Sequence, residues 1–169
     1  MLRKIVLMML IGGVQSPVLG KSLKAHVHGE SVWSLAFEGN SGKLLINAPT
    51  ESVLGFEYEP KKKKDVKKSA AALQKFENAI SQMVFIPADY SCSWTKKALD
   101  ILRAEGDTKH SEVDGEFEIQ CQKDLDGAEI TFNIQKFFPR FRMVNFEILY
   151  GNIQKSLAVS KSGTKVYLK

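Results

Sequence analysis

Cysteine, histidine and long apolar runs are all scarce in this chain, and each scarcity narrows what it can do. Two cysteines and three histidines in 169 residues leave little material for a catalytic signature. There is no Gly-x-Ser-x-Gly, no His-Glu-x-x-His and no Gly-x-x-x-x-Gly-Lys run, which argues against common hydrolases, zinc proteases and nucleotide binders. The acidic residues are dispersed, and no carboxylate pair stands out for acid and base catalysis. The expectation is a protein that is not an enzyme. The apolar run Ile5 to Val14 falls well short of the roughly 20 residues that span a bilayer as a helix, so no stable membrane anchor is expected. Internal repeats and low-complexity linkers are also missing.

What is present is the composition of a foldable domain: 44% hydrophobic and 25% charged residues, near the globular average. The length suits one domain. Arg3 and Lys4, the apolar run, and Val18, Leu19 and Gly20 before Lys21 have the layout of a secretory signal peptide. Residues 1–20 are therefore read as a cleaved leader and residues 21–169 as a single domain. No cysteine lies near that cleavage point, so nothing supports a lipid anchor there. The positive charge left in the mature chain is mild and concentrated in Lys61 to Lys64, Lys67 and Lys68. A nucleic-acid footprint would be spread over a surface, so no nucleic-acid partner is expected. The lysine cluster reads as a solvated helix face or as a contact for an anionic envelope surface.

Export would place Cys92 and Cys121 in an oxidising compartment, where a disulfide is expected between them. Closing a loop of about thirty residues restricts the unfolded chain by roughly 3 to 4 kcal/mol in the entropy model. A nucleophilic cysteine activated by His110 would need a free thiolate and an orienting group that the sequence does not supply.

Along the mature chain, Trp33, Leu35 and Phe37 alternate with Ser34, Ala36 and Glu38, the pattern of a half-buried strand. Gly39 to Gly42 forms a turn and Lys43 to Ala48 a second strand that Pro49 ends, giving an antiparallel hairpin. Residues 49–60 read as an irregular connection held by aromatic packing. Val66, Ala70, Leu73, Ile80 and Val84 fall near one face of a long helix over residues 61–83. Its lysine-rich start opposes the helix dipole. Strands are expected over Tyr90 to Leu102 and Glu116 to Gln122, with Arg103 to Gly115 as an exposed polar loop. Ile130, Phe132 and Ile134 alternate before a short helical turn around Phe137, Phe138 and Phe141, three residues read as core. A hairpin over Met143 to Leu149 and Ile153 to Val159 follows, then a short strand near Lys165 to Lys169. Together these elements predict an α+β domain on an antiparallel sheet, with one long helix, a second short helical segment and one disulfide. A β-sandwich is the alternative, which the helical period of residues 61–83 opposes.

His26-Val27-His28-Gly29-Glu30 places two imidazoles and a carboxylate on one side of an extended chain. Zinc accepts those donor types. If the strand runs unbroken through Gly29, these side chains share the polar parity of Ser34 and Glu38. A polar N-terminal arm carrying two histidines by chance is the bland alternative. His110 reads either as a surface loop residue or as a further ligand brought in by folding.

In order and spacing the chain resembles the ZrgA family of periplasmic zinc-uptake-associated proteins. The resemblance rests on His26-Val27-His28-Gly29-Glu30 followed by Leu35-Ala36-Phe37-Glu38-Gly39-Asn40, then Ala48-Pro49 and Leu54-Gly55-Phe56-Glu57. Cys92 after Ile86-Pro87, His110-Ser111-Glu112 before Phe117-Glu118-Ile119-Gln120-Cys121, and Phe137-Phe138-Pro139 with a late Gly151 complete it. It implies an exported, non-catalytic zinc-binding accessory that helps deliver Zn2+ to an importer of the ATP-binding-cassette type. His26 and His28 resemble the family's N-terminal histidine motif, and His110 the end of its central histidine-rich stretch. Glu30 is a weaker candidate ligand. The chain departs from the family where a long run of histidines with Asp and Glu would precede Ser111: only Ala104 to His110 stand there. That leaves one site of modest affinity, or none, in place of a high-capacity store. The rival function on the same scaffold is a periplasmic protein interaction module without metal.

Overall fold

A computed structural model describes residues 29–103 and 110–169. The alternating segment at the start forms β1 (Glu30–Glu38), and a tight turn leads into β2 (Ser41–Pro49). These two strands pair antiparallel with Trp33 opposite Ile46 and Leu35 opposite Leu44, so the apolar parity of both lands on one face. Next come α1 (Thr50–Leu54), α2 (Lys63–Met83) and the two-residue β3 (Val84–Phe85). A 3-10 turn at Ala88–Tyr90 leads into β4 (Ser93–Leu102), which pairs antiparallel with β5 (Glu112–Gln120). β6 (Glu129–Phe132), α3 (Ile134–Phe137), β7 (Met143–Tyr150), β8 (Ile153–Val159) and β9 (Thr164–Tyr167) complete the order.

The strands form a six-stranded sheet in the order β4-β5-β2-β1-β7-β8 and a three-stranded sheet in the order β3-β6-β9. The α+β expectation holds, with the long helix, the short α3 and the Cys92–Cys121 disulfide in place. The large sheet is mixed, because β1 and β7 pair in parallel, Trp33 beside Phe146. Alternation fixes which face a strand buries but not the direction of its neighbour. A parallel partner needs a long crossover, and here everything between β2 and β7 serves as one.

Three boundaries differ from the sequence reading for local reasons. Part of the stretch read as irregular is α1, which ends at Gly55 in the left-handed region at φ 84°, the usual helix stop. Glu112 to Gly115 belong to β5 and not to an exposed loop, because each pairs with β2 as well as β4. The buried face of α2 is Ser69, Phe76, Ala79, Ile80 and Met83, while Val66 is exposed and so is Ala70. Val66 and Ala70 therefore lie on the outward face with the exposed lysines of the first two turns, while Ser69 between them turns inward.

The core lies between the large sheet and a layer made of α2, α3 and the small sheet. Trp33 is fully buried at its centre. Its ring meets Phe76 of α2 at 5.9 Å, Phe141 at 5.8 Å and Phe146 of β7 at 5.4 Å, all edge to face, the favoured aromatic geometry. Phe138 and Phe141 are core residues, as read; Phe137 packs half-buried against the same cluster. The opposite face of the large sheet is open to solvent and carries exposed Val32, Leu45 and Leu149 among polar residues. No helix among the described residues is long and apolar enough to cross a membrane.

Candidate metal site

Register brings two of the sequence-predicted ligands, Glu30 and His110, toward one edge of the large sheet, the one formed by strand ends. Val32 pairs with Asn47 and Pro49 with Glu112, so the start of β1, the end of β2 and the start of β5 lie together. Leu102, at the end of β4, pairs with the same Glu112. With strands about 4.8 Å apart, β1 and β5 are separated by about 10 Å across β2. Glu30, the first residue of β1, and His110, two residues before β5, are both exposed at this edge.

His26 and His28 lie outside the described residues. The condition that would have extended the strand parity back to them is not met. Gly29 adopts φ 81°, in the left-handed region, and β1 begins only at Glu30. The carbonyl of Gly29 accepts hydrogen bonds from the backbone N–H groups of Arg142 at 2.8 Å and Met143 at 3.0 Å. The root of the N-terminal arm is thus fixed to the edge by the segment entering β7.

A second set of bonds fixes the other root. The Arg103 guanidinium donates through Nη1 to the carbonyl of His110 at 2.9 Å and through Nη2 to the carbonyl of Glu57 at 2.6 Å. Ser111 Oγ donates to the same Glu57 carbonyl at 2.9 Å, and the N–H of Thr50 donates to the carbonyl of Ser111 at 2.9 Å. The His110 backbone is therefore held by Arg103, while its imidazole reaches solvent. Glu112 on β5 lies at the same end of the strands, and its Oε2 accepts from Asn47 Nδ2 at 2.5 Å; Glu51 belongs to α1, which follows β2 directly. Neither Arg103 nor Glu51 stood out in the sequence, because only the β2 to β5 register brings them to this edge.

The opposite end of the β4–β5 hairpin is closed covalently. Cys92, just before β4, and Cys121, just after β5, form the disulfide across a separation of 29 residues. No free cysteine remains among the described residues, so neither sulfur is available as a thiolate ligand. Among the described residues no three of His, Cys, Asp and Glu converge closely enough to hold a metal by themselves. The side chains exposed there, the His110 imidazole and the Glu30 carboxylate, are donor kinds that zinc accepts.

The groups with displaced titration lie elsewhere. Tyr150 donates to Asp124 Oδ1 at 2.7 Å, which pushes its phenol up to about 12. Glu129 is held low by its hydrogen bonds with Lys165 and Tyr167.

These features define a small, disulfide-stapled α+β domain with Glu30 and His110 exposed at one sheet edge. The sequence model of the ZrgA family of zinc uptake proteins matches residues 25–168, and the chain belongs to that family. No curated protein matches the chain.

Proposed function

We propose that this chain is an exported zinc-binding accessory that assists zinc uptake without catalysing a reaction. The observation that supports this most is that two chain segments reach the same sheet edge: Gly29, which follows His26 and His28 in the chain, and His110, pinned by Arg103. His26 and His28 are the first-choice ligands, with Glu30 and His110 as supplementary donors. Two imidazoles with a carboxylate or a third imidazole satisfy zinc's preference for four ligands when water takes any remaining place. Bound there, Zn2+ would be exposed for transfer, which suits hand-over to an importer of the ATP-binding-cassette type. Family membership ties the chain to zinc uptake, and the disulfide suits an oxidising compartment such as the periplasm.

The test is a calorimetric zinc titration of the oxidised protein beside His26→Ala/His28→Ala and His110→Ala. The reading expects about one equivalent bound by the parent, binding lost in the double variant, and affinity reduced about tenfold or more in His110→Ala if its imidazole is a ligand. No zinc-dependent heat in the parent would sink it.

A protein interaction module without metal is the second reading, favoured by exposed Val32, Leu45 and Leu149 on the open sheet face. A partner that stays bound in chelator and is released by Leu45→Glu would support it.

A further inference from the structure

Close to the root of the N-terminal arm lies a cleft of about 330 Å³ lined by Gly29, Glu51, Ser52, Pro139, Arg140 and Arg142. That volume is at the lower end of the roughly 300 to 1,000 Å³ typical of small-molecule sites. Phe141 is buried in the core, while Arg140 and Arg142 on either side of it are exposed and line this same cleft.

Both arginine side chains are laid against glycine backbone. A Cβ on Gly29 would stand 2.8 Å from Arg142 Cγ, and one on Gly55 would stand 3.0 Å from Arg140 Cζ. Both glycines have φ above 80°, a conformation that other L-residues rarely adopt. The close approach of each arginine therefore depends on a position where a side chain is excluded twice, by space and by backbone.

The two guanidinium groups also stand apart from other cations of this protein. Lys43, Lys96, Lys97 and Lys165 each have a carboxylate within 3.0 Å. The guanidinium groups of Arg140 and Arg142 have no such partner among the described residues, although Glu51 lines the same cleft. Ser52, in the cleft wall, is 2% exposed, and its hydroxyl is without a hydrogen-bond partner among the described residues. A buried hydroxyl in that condition calls for an explanation.

From this arrangement we propose that the cleft binds a small oxyanion, a carboxylate or a phosphate, through the guanidinium groups of Arg140 and Arg142 with Ser52 as an additional donor. Guanidinium forks match the oxygens of either group. Glu51 in the lining opposes a polyanion and sets the preference for a single small group. The cleft adjoins the edge of the zinc reading at Gly29, yet its chemistry is separate, since it uses cations and no metal.

The experiment is an amide NMR titration of the oxidised, metal-free protein with inorganic phosphate in one arm and acetate in the other, at constant ionic strength set with chloride. Arg140→Gln, Arg142→Gln and the double variant are run alongside, each checked for an unchanged melting temperature. Saturable shifts centred on Gly29, Ser52 and Arg142 and weakened about tenfold or more in the double variant support the proposal, and the arm that saturates names the source of the oxygens. No saturation in either arm overturns it, as does saturation that the double variant leaves unchanged. If the double variant does not fold, the two single variants carry the same comparison, with each expected to weaken binding.

Discussion

Tyr150 and Asp124 show how one hydrogen bond couples two titrations at the surface. The phenol donates to the carboxylate at 2.7 Å, and Asp124 also accepts from the backbone N–H of Asp126 at 2.8 Å. The Tyr150 bond is the larger reason that Asp124 is held low, with the Asp126 bond second; the same Tyr150 bond pushes the phenol up to about 12. A lowered carboxylate stabilises the fold above its ordinary range near 4 and loses that contribution as pH falls through its folded value. A raised phenol does the reverse: its contribution is complete below about 10 and is lost as pH rises toward its folded value. Alkaline absorbance titration should therefore show a late-ionising tyrosine that vanishes in Tyr150→Phe and moves down toward about 10 in Asp124→Asn. An unaltered alkaline curve in both variants would count against the contact. Tyr167 is raised as well, through Glu129, and serves as the internal control. None of this was legible in the chain, because residues 124 and 150 meet only once β7 is set beside β1.

Among the elements, α2 separates what periodicity reveals from what it leaves open. The helical spacing was plain, and the structure has a helix over Lys63–Met83. Its buried stripe was read one step off in the first turns, because Val66 and Ala70 are apolar yet face outward, and the polar Ser69 takes the inward position. Phe76, fully buried against Trp33 and Phe138, is the anchor of the helix. Phe76→Ala should cost about 3 to 5 kcal/mol, whereas Val66→Ala should stay within about 0.5 kcal/mol, both read from denaturant midpoints at constant slope. Equal effects would mean that the helix packs by its other end. The β4–β5 hairpin makes a complementary case. Its pairing was foreseeable from two cysteines in a chain read as exported, while its length was not, since Glu112 to Gly115 carry the charge and glycine of a loop. The acidic residues of this strand sit on its outward parity, where Glu112 accepts from Asn47, Glu116 meets Lys43 at 2.6 Å and Glu118 meets Lys97 at 3.0 Å. With the disulfide at one end and the Arg103 clasp at the other, reduction should lower stability by roughly 3 to 4 kcal/mol, and a Cys92→Ser/Cys121→Ser variant should reproduce that loss. A shift in denaturant midpoint worth less than about 1 kcal/mol would show that the clasp alone closes the hairpin.

At the scale of the whole molecule, the mixed sheet matters more than any single strand, because register and strand order carry the arm root at Gly29 and the loop root at His110 to a common edge. The sequence supplied donor types and their local spacing; the common edge of Glu30 and His110 came from long-range pairing that alternation does not encode. A zinc ion bound at that edge would bind the folded state alone, so it should stabilise by mass action, by about 2.7 kcal/mol at about 100 times its dissociation constant. For a domain of this size that corresponds to a rise in melting temperature of about 5 to 10 °C. Imidazole binds metal only when neutral, and its ordinary range centres near 6.5. The zinc-induced rise should then be full at about pH 7.5 and fade by about pH 5.5, whereas a site built on carboxylates alone would keep it at the lower pH. Thermal scans with and without zinc across that interval, repeated on His26→Ala/His28→Ala, separate the cases. A rise that persists unchanged at low pH would assign the metal to the carboxylates of the edge and remove the histidines from the site.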